Sequence, residues 1–85
     1  MNSFDFVVTD PVGIHARPAG ILAKKAKAYA SKICINFNGK TADVTRLMAV
    51  MGMGIKQGNT INVTVEGDDE ETTAAEIEQF FKDNF

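Results

Sequence analysis

The sequence has 85 residues, 45% of them hydrophobic, and a formal net charge of −2. Those values exclude a generally disordered chain and any overall electrostatic pull toward nucleic acid. A single cysteine, Cys34, excludes an internal disulfide, and no run of about 18 apolar residues offers a membrane-spanning helix. The start, Met1-Asn2-Ser3-Phe4-Asp5, lacks a basic stretch followed by an apolar one, so no signal peptide and a cytoplasmic location are expected. The length predicts one domain, residues 1–85, with little room for both a substrate pocket and a full catalytic set.

In chain order, Phe4, Phe6 and Val8 alternate with Ser3, Asp5, Val7 and Thr9, the pattern of a strand with one buried face. Asp10-Pro11-Val12-Gly13 breaks it as a loop. From Ala16 the period becomes helical, with Ala19, Leu22, Ala26 and Tyr29 on one stripe and Lys24, Lys25 and Lys27 mostly on the wet side. Pro18 fits only near the beginning of that helix, where its missing N–H leaves no bond unmade.

Ile33, Ile35 and Phe37 predict a second strand, and Asn38-Gly39 a two-residue hairpin leading to a short strand over 40–44. Leu47 to Met53 reads as a short helix, capped by Asp43 or Thr45 and ended by Gly52 and Gly54. Ile61, Val63 and Val65 mark the fourth strand. Asp68-Asp69-Glu70-Glu71 offers a cap and negative charge to a last helix, whose buried face is Ala74, Ile77 and Phe81 with Phe80 alongside. The order is β-α-β-β-α-β-α. One-sided strands predict an α+β fold, an antiparallel sheet covered by helices on one face and open to water on the other.

Gly13-Ile14-His15-Ala16-Arg17-Pro18-Ala19 is the stretch that points to chemistry. It sets the only histidine at a loop-to-helix junction, with a guanidinium two residues on. Helix N-termini bind anions through unpaired N–H groups and the positive end of the dipole. A phosphoryl group on His15 would reach the amides of Ala16 and Arg17, and the Arg17 side chain would neutralise its oxygens in a forked geometry. The same positive end disfavours imidazolium, which keeps the ring neutral and nucleophilic.

His15-Ala16-Arg17-Pro18-Ala19 also resembles the active-site signature of the HPr family, the histidine-containing phosphocarriers of the bacterial phosphoenolpyruvate:sugar phosphotransferase system. The likeness extends over the whole chain: length, element order, the Asn38-Gly39-Lys40 hairpin, the Leu47-to-Gly54 helix and the acidic start of the last helix. It implies an open-faced β-sandwich of four antiparallel strands and three helices, and a monomer. It also implies phosphate accepted on Nδ1 of His15 from phosphorylated enzyme I, with Arg17 assisting and Ala16, Arg17 and Pro18 around the phosphate. From there the group passes to IIA components of sugar permeases. Such a chain is a carrier acted on by its partners rather than an enzyme, and it needs no cofactor.

The helix Arg46-Leu47-Met48-Ala49-Val50-Met51-Gly52-Met53 has little polar surface, which points to burial or to a docked partner. The resemblance favours docking for Leu47, Met48 and Met51, joined by Gly20, Lys24 and Lys27 of the first helix. Met53 fits the core equally well. Many relatives from Gram-positive bacteria carry a regulatory serine where this chain has Arg46, and Thr45 beside it points elsewhere on the helix, so no regulatory site is expected. The remaining candidates are weaker. One His and one Cys far apart cannot hold zinc, Cys34 falls on the polar face of its strand, and the acidic run at 68–71 reads as capping rather than as a metal cage. No metal is expected. A nucleic-acid-binding role is disfavoured by the acidic balance and by one Tyr and no Trp. The alternative to a carrier is a regulatory binding module of the same fold.

Overall fold

Each alternating apolar run forms a strand and each helical stripe a helix. A computed structural model describes all 85 residues. Its elements are β1 (Asn2–Val7), α1 (Ala16–Ala26), β2 (Lys32–Phe37), β3 (Lys40–Asp43), α2 (Leu47–Met51), β4 (Thr60–Glu66) and α3 (Glu70–Asn84). The sheet order is β1-β4-β2-β3 with every neighbouring pair antiparallel. Val63 stands at its centre, opposite Phe4 on one side and Ile35 on the other. These inward residues meet Leu22, Ile77 and Phe81 from the helices, which all lie on one face. Phe81 is fully buried, with the rings of Phe4, Phe6 and Phe85 5.3–6.0 Å away.

The other face is open and polar. Thr41 Oγ1 donates to Asn36 Oδ1 (2.7 Å), Asn36 Nδ2 to Asn62 Oδ1 (3.0 Å), and Asn62 Nδ2 to Asp5 Oδ1 (2.9 Å). This ladder crosses all four strands. At the β2–β3 hairpin Asn38 and Gly39 both take positive φ, 53° and 79°, as the two-residue turn requires.

Several local expectations are corrected. Helix α1 stops at Ala26, and the chain continues to Tyr29 through tighter bonds from Ala28 N–H to Lys25 O and Tyr29 N–H to Ala26 O. Tyr29 still packs against the core and donates to Glu76 Oε1 at 2.9 Å. Neither expected cap of α2 performs that role. Asp43 Oδ1 accepts from Thr45 N–H (2.9 Å) and Thr45 Oγ1 (2.7 Å), so the two side chains satisfy each other and Arg46 takes the N-cap position. Asp69 does take the N-cap position of α3, and Glu70 and Glu71 bring negative charge to its first turn, but the Asp69 carboxylate makes no capping bond: it accepts from Ser31 Oγ and from Ala30 N–H, joining α3 to the turn before β2. Those donors hold the Asp69 carboxyl below the usual aspartate range, with the Ser31 hydroxyl the larger cause. Cys34 alternates to the open face as expected, but neighbouring side chains leave it only 9% exposed, and burial pushes its thiol up.

Candidate functional site

The loop from Val8 to Ile14 carries the candidate histidine, and it is tied down along its length. The main-chain oxygen of Phe85 accepts from Thr9 N–H (2.6 Å), Asp10 N–H (2.7 Å) and Thr9 Oγ1 (3.1 Å). Gly13 N–H then bonds back to Asp10 O (2.9 Å), and Ile14 N–H to Ile55 O (3.2 Å). Gly13 has φ +79°, and a Cβ there would overlap the Ile55 carbonyl oxygen and come within 2.8 Å of Lys56 Cα. Only glycine lets the loop pass this close to the 55–56 backbone.

That anchoring delivers His15 to the N-cap position of α1 in extended conformation, φ −124° and ψ 170°. Its carbonyl accepts the Ala19 N–H at 3.1 Å, while its ring makes no capping bond. Ala16 and Arg17 precede the first residue able to bond within the helix, and their N–H groups have no acceptor. Pro18 has no N–H and is buried, a fixed first turn beneath the exposed Ala16 and Arg17. The Arg17 guanidinium forms no ion pair or hydrogen bond, so its donors are free. The His15 side chain is 35% exposed and its Nε2 lies 3.6 Å from Asp10 Oδ2. A partly exposed ring at the N-cap, with two free amides and an unpaired guanidinium in the turn that follows it, suits an anionic group bound to that ring.

The expected docking residues fall in two groups. On α1, Gly20 is half-buried and Lys24 and Lys27 are exposed; α1 packs on α2. On α2, Met48 is 80% exposed, whereas Leu47 and Met51 are half-buried against the core. Val50 and Met53 are buried, which settles Met53 as a core residue. Arg46 is exposed, and nothing in the structure explains its choice at a helix N-terminus. The sequence assigned no role at the site to Asp10, Phe85 or Ile21, and read Gly13 only as part of the loop and motif. Ile21 was detectable: it lies four residues after Arg17, off the buried stripe, and is 53% exposed. A shallow hollow of ≈ 490 Å³ on the open sheet face, lined in part by Asn36, Lys40 and Asn62, contains neither His15 nor Arg17.

A family model described as the PTS HPr component phosphorylation site matches residues 2–83. The chain belongs to the HPr family. HPr proteins are phosphocarriers rather than catalysts, and the resemblance carried by the His15 motif is thereby upheld. The phosphocarrier protein HPr of Mycoplasma capricolum is 40% identical over 79 residues, covering 93% of this chain and 89% of that one. A solved histidine-containing phosphocarrier protein from Mycoplasma has a TM-score of 0.91 at 39% identity, covering 96% of this chain and 93% of its own. The open-faced sandwich is thus the HPr fold. An HPr dimer from Thermoanaerobacter tengcongensis is also similar, with a TM-score of 0.66 at 30% identity over 95% of this chain and 98% of that one.

Proposed function

We propose that this HPr-family chain accepts a phosphoryl group on His15 Nδ1 from phosphorylated enzyme I and passes it to IIA components of sugar permeases in the cytoplasm. The observation that carries the reading is the union, at one helix N-terminus, of a partly exposed imidazole, two acceptor-free amides and an unpaired guanidinium. The amides of Ala16 and Arg17 and the Arg17 side chain would take up charge on the phosphoryl oxygens as it develops. Onward transfer requires that this hold be loose, and an open site does not trap the group. Val12, Ile21 and Met48 expose apolar surface, and Lys24 and Lys27 add positive charge; with Gly20, Leu47 and Met51 they form the docking face of the reading. The chain acts in this reading as one domain and as a monomer, and sedimentation at working concentration tests the second point against the dimeric relative.

The test incubates the protein with phosphoenolpyruvate, magnesium and enzyme I and looks for acid-labile, base-stable phosphate. Label on wild type and none on His15→Ala is expected. No label, or label surviving in His15→Ala, overturns the carrier reading; label without transfer to any IIA component makes the chain a regulatory module. No kinase-dependent phosphate is expected near position 46, because Arg46 has no hydroxyl and Thr45 is turned to Asp43, to which its hydroxyl donates.

A further inference from the structure

We infer that Asp10 is a positioning residue for His15: its carboxylate holds the ring proton on Nε2 and so leaves the Nδ1 lone pair free to take the phosphoryl group.

Asp10 is fixed at three of its polar atoms. Its N–H donates to Phe85 O (2.7 Å), its carbonyl accepts from Gly13 N–H (2.9 Å), and its Oδ1 accepts from Val12 N–H (2.8 Å). Oδ2 alone is left, and it faces His15 Nε2 at 3.6 Å. That separation is too long for a formed hydrogen bond but within reach of one after a small side-chain movement. A neutral imidazole has one protonated nitrogen, and the partner of the other nitrogen decides which. A carboxylate accepts only, so the nitrogen facing it carries the proton. On transfer the Nδ1 lone pair forms the N–P bond, the bond from phosphorus to the phosphorylated protein donor breaks, and its electron pair stays with the donor. The Nε2 proton does not move. The ring becomes a phosphorylated cation, whose charge the Asp10 carboxylate would offset at Nε2, while the Arg17 side chain and the free helix amides would be left for the phosphate.

Asp10→Asn makes a sharp test. The Val12 N–H still claims the side-chain oxygen, so the amide NH₂ faces His15 Nε2 and donates to it. The proton is then driven to Nδ1, where it removes the lone pair. Nitrogen-15 chemical shifts of the His15 ring in the unphosphorylated, neutral form read the tautomer directly. The Nε2–H form is expected to dominate in wild type and the Nδ1–H form to rise in D10N. Phosphoryl acceptance by D10N is expected to slow at least about tenfold. An unchanged tautomer ratio in D10N, or a dominant Nδ1–H form in wild type, overturns the inference. Asp10→Ser covers poor folding of D10N. Its hydroxyl still accepts from Val12 N–H but offers His15 no charge, so the Nε2–H excess must shrink; a ratio equal to wild type overturns the inference as well. The rate measurement rests on the carrier reading, whereas the tautomer needs no donor. Failure of one is therefore distinguishable from failure of the other.

Discussion

Replacing Gly13 by alanine strikes the loop where it passes against the backbone of residues 55–56. At φ +79° a non-glycine residue costs about 1–2 kcal/mol. The added Cβ also overlaps the Ile55 carbonyl oxygen and stands 2.8 Å from Lys56 Cα, backbone atoms that cannot swing aside, and such forced contacts cost about 1–3 kcal/mol. Separating the two segments stretches the bond from Ile14 N–H to Ile55 O, a further ~0.5–1.5 kcal/mol. The expected loss is about 3–6 kcal/mol, against a total stability of roughly 4–13 kcal/mol for a chain of this length. Gly54→Ala separates the causes: its φ is +66° but a Cβ there meets nothing within 4 Å, so only the conformational cost of about 1–2 kcal/mol remains. Urea unfolding of both variants measures the difference. Equal losses in the two, or a loss below about 1 kcal/mol in Gly13→Ala, would refute the claim that close approach at residues 55–56 holds the histidine loop.

Three other outcomes follow from the same geometry. Arg17→Ala should change stability by no more than about 0.5 kcal/mol, since the side chain is exposed and unpaired, yet slow phosphoryl transfer at least about tenfold; parallel unfolding and transfer assays would expose a structural role as losses in both. Asp69, held below the usual aspartate range by Ser31 and Ala30, contributes stability that is present above the unfolded value of about 3.9 and disappears as the pH falls through the lower folded value. Asp69→Asn should flatten the acid limb of the stability curve below about pH 4, and an unchanged limb would count against the Ser31 contact. Cys34, with its thiol pushed up by burial, should react with a thiol reagent at pH 8 far more slowly in the native protein than in urea; rapid native labelling would place it outside the sheet's packed side chains.

The strands and helices were legible because each carries its own period. Ile61, Val63 and Val65, or Ala19, Leu22 and Ala26, announce a buried face without reference to the rest of the chain. What escaped depends on contacts between distant residues. Thr73 is fully buried, and Asp69 turns from its own helix to Ser31, because the α1–β2 turn lies against the start of α3. Nothing local marks either event. The site divides in the same way. His15 and Arg17 declare themselves as neighbours at a helix start. Asp10, only five residues earlier, faces the ring because Phe85 and Ile55 bend the loop, and those lie 75 and 45 residues beyond it in the sequence.

The anchoring of the histidine loop also has a consequence for biosynthesis. Strand β1 has no partner until β4 is made, and the loop after it is pinned by residues 55, 57–59 and 85, all far downstream. A nascent chain halfway out of the ribosome therefore already contains His15, Arg17 and the sequence of α1, but nothing that sets their mutual geometry. Folding of this kind awaits long-range closure. Under the carrier reading, a partner protein that needs the assembled face would have no target on an incomplete chain.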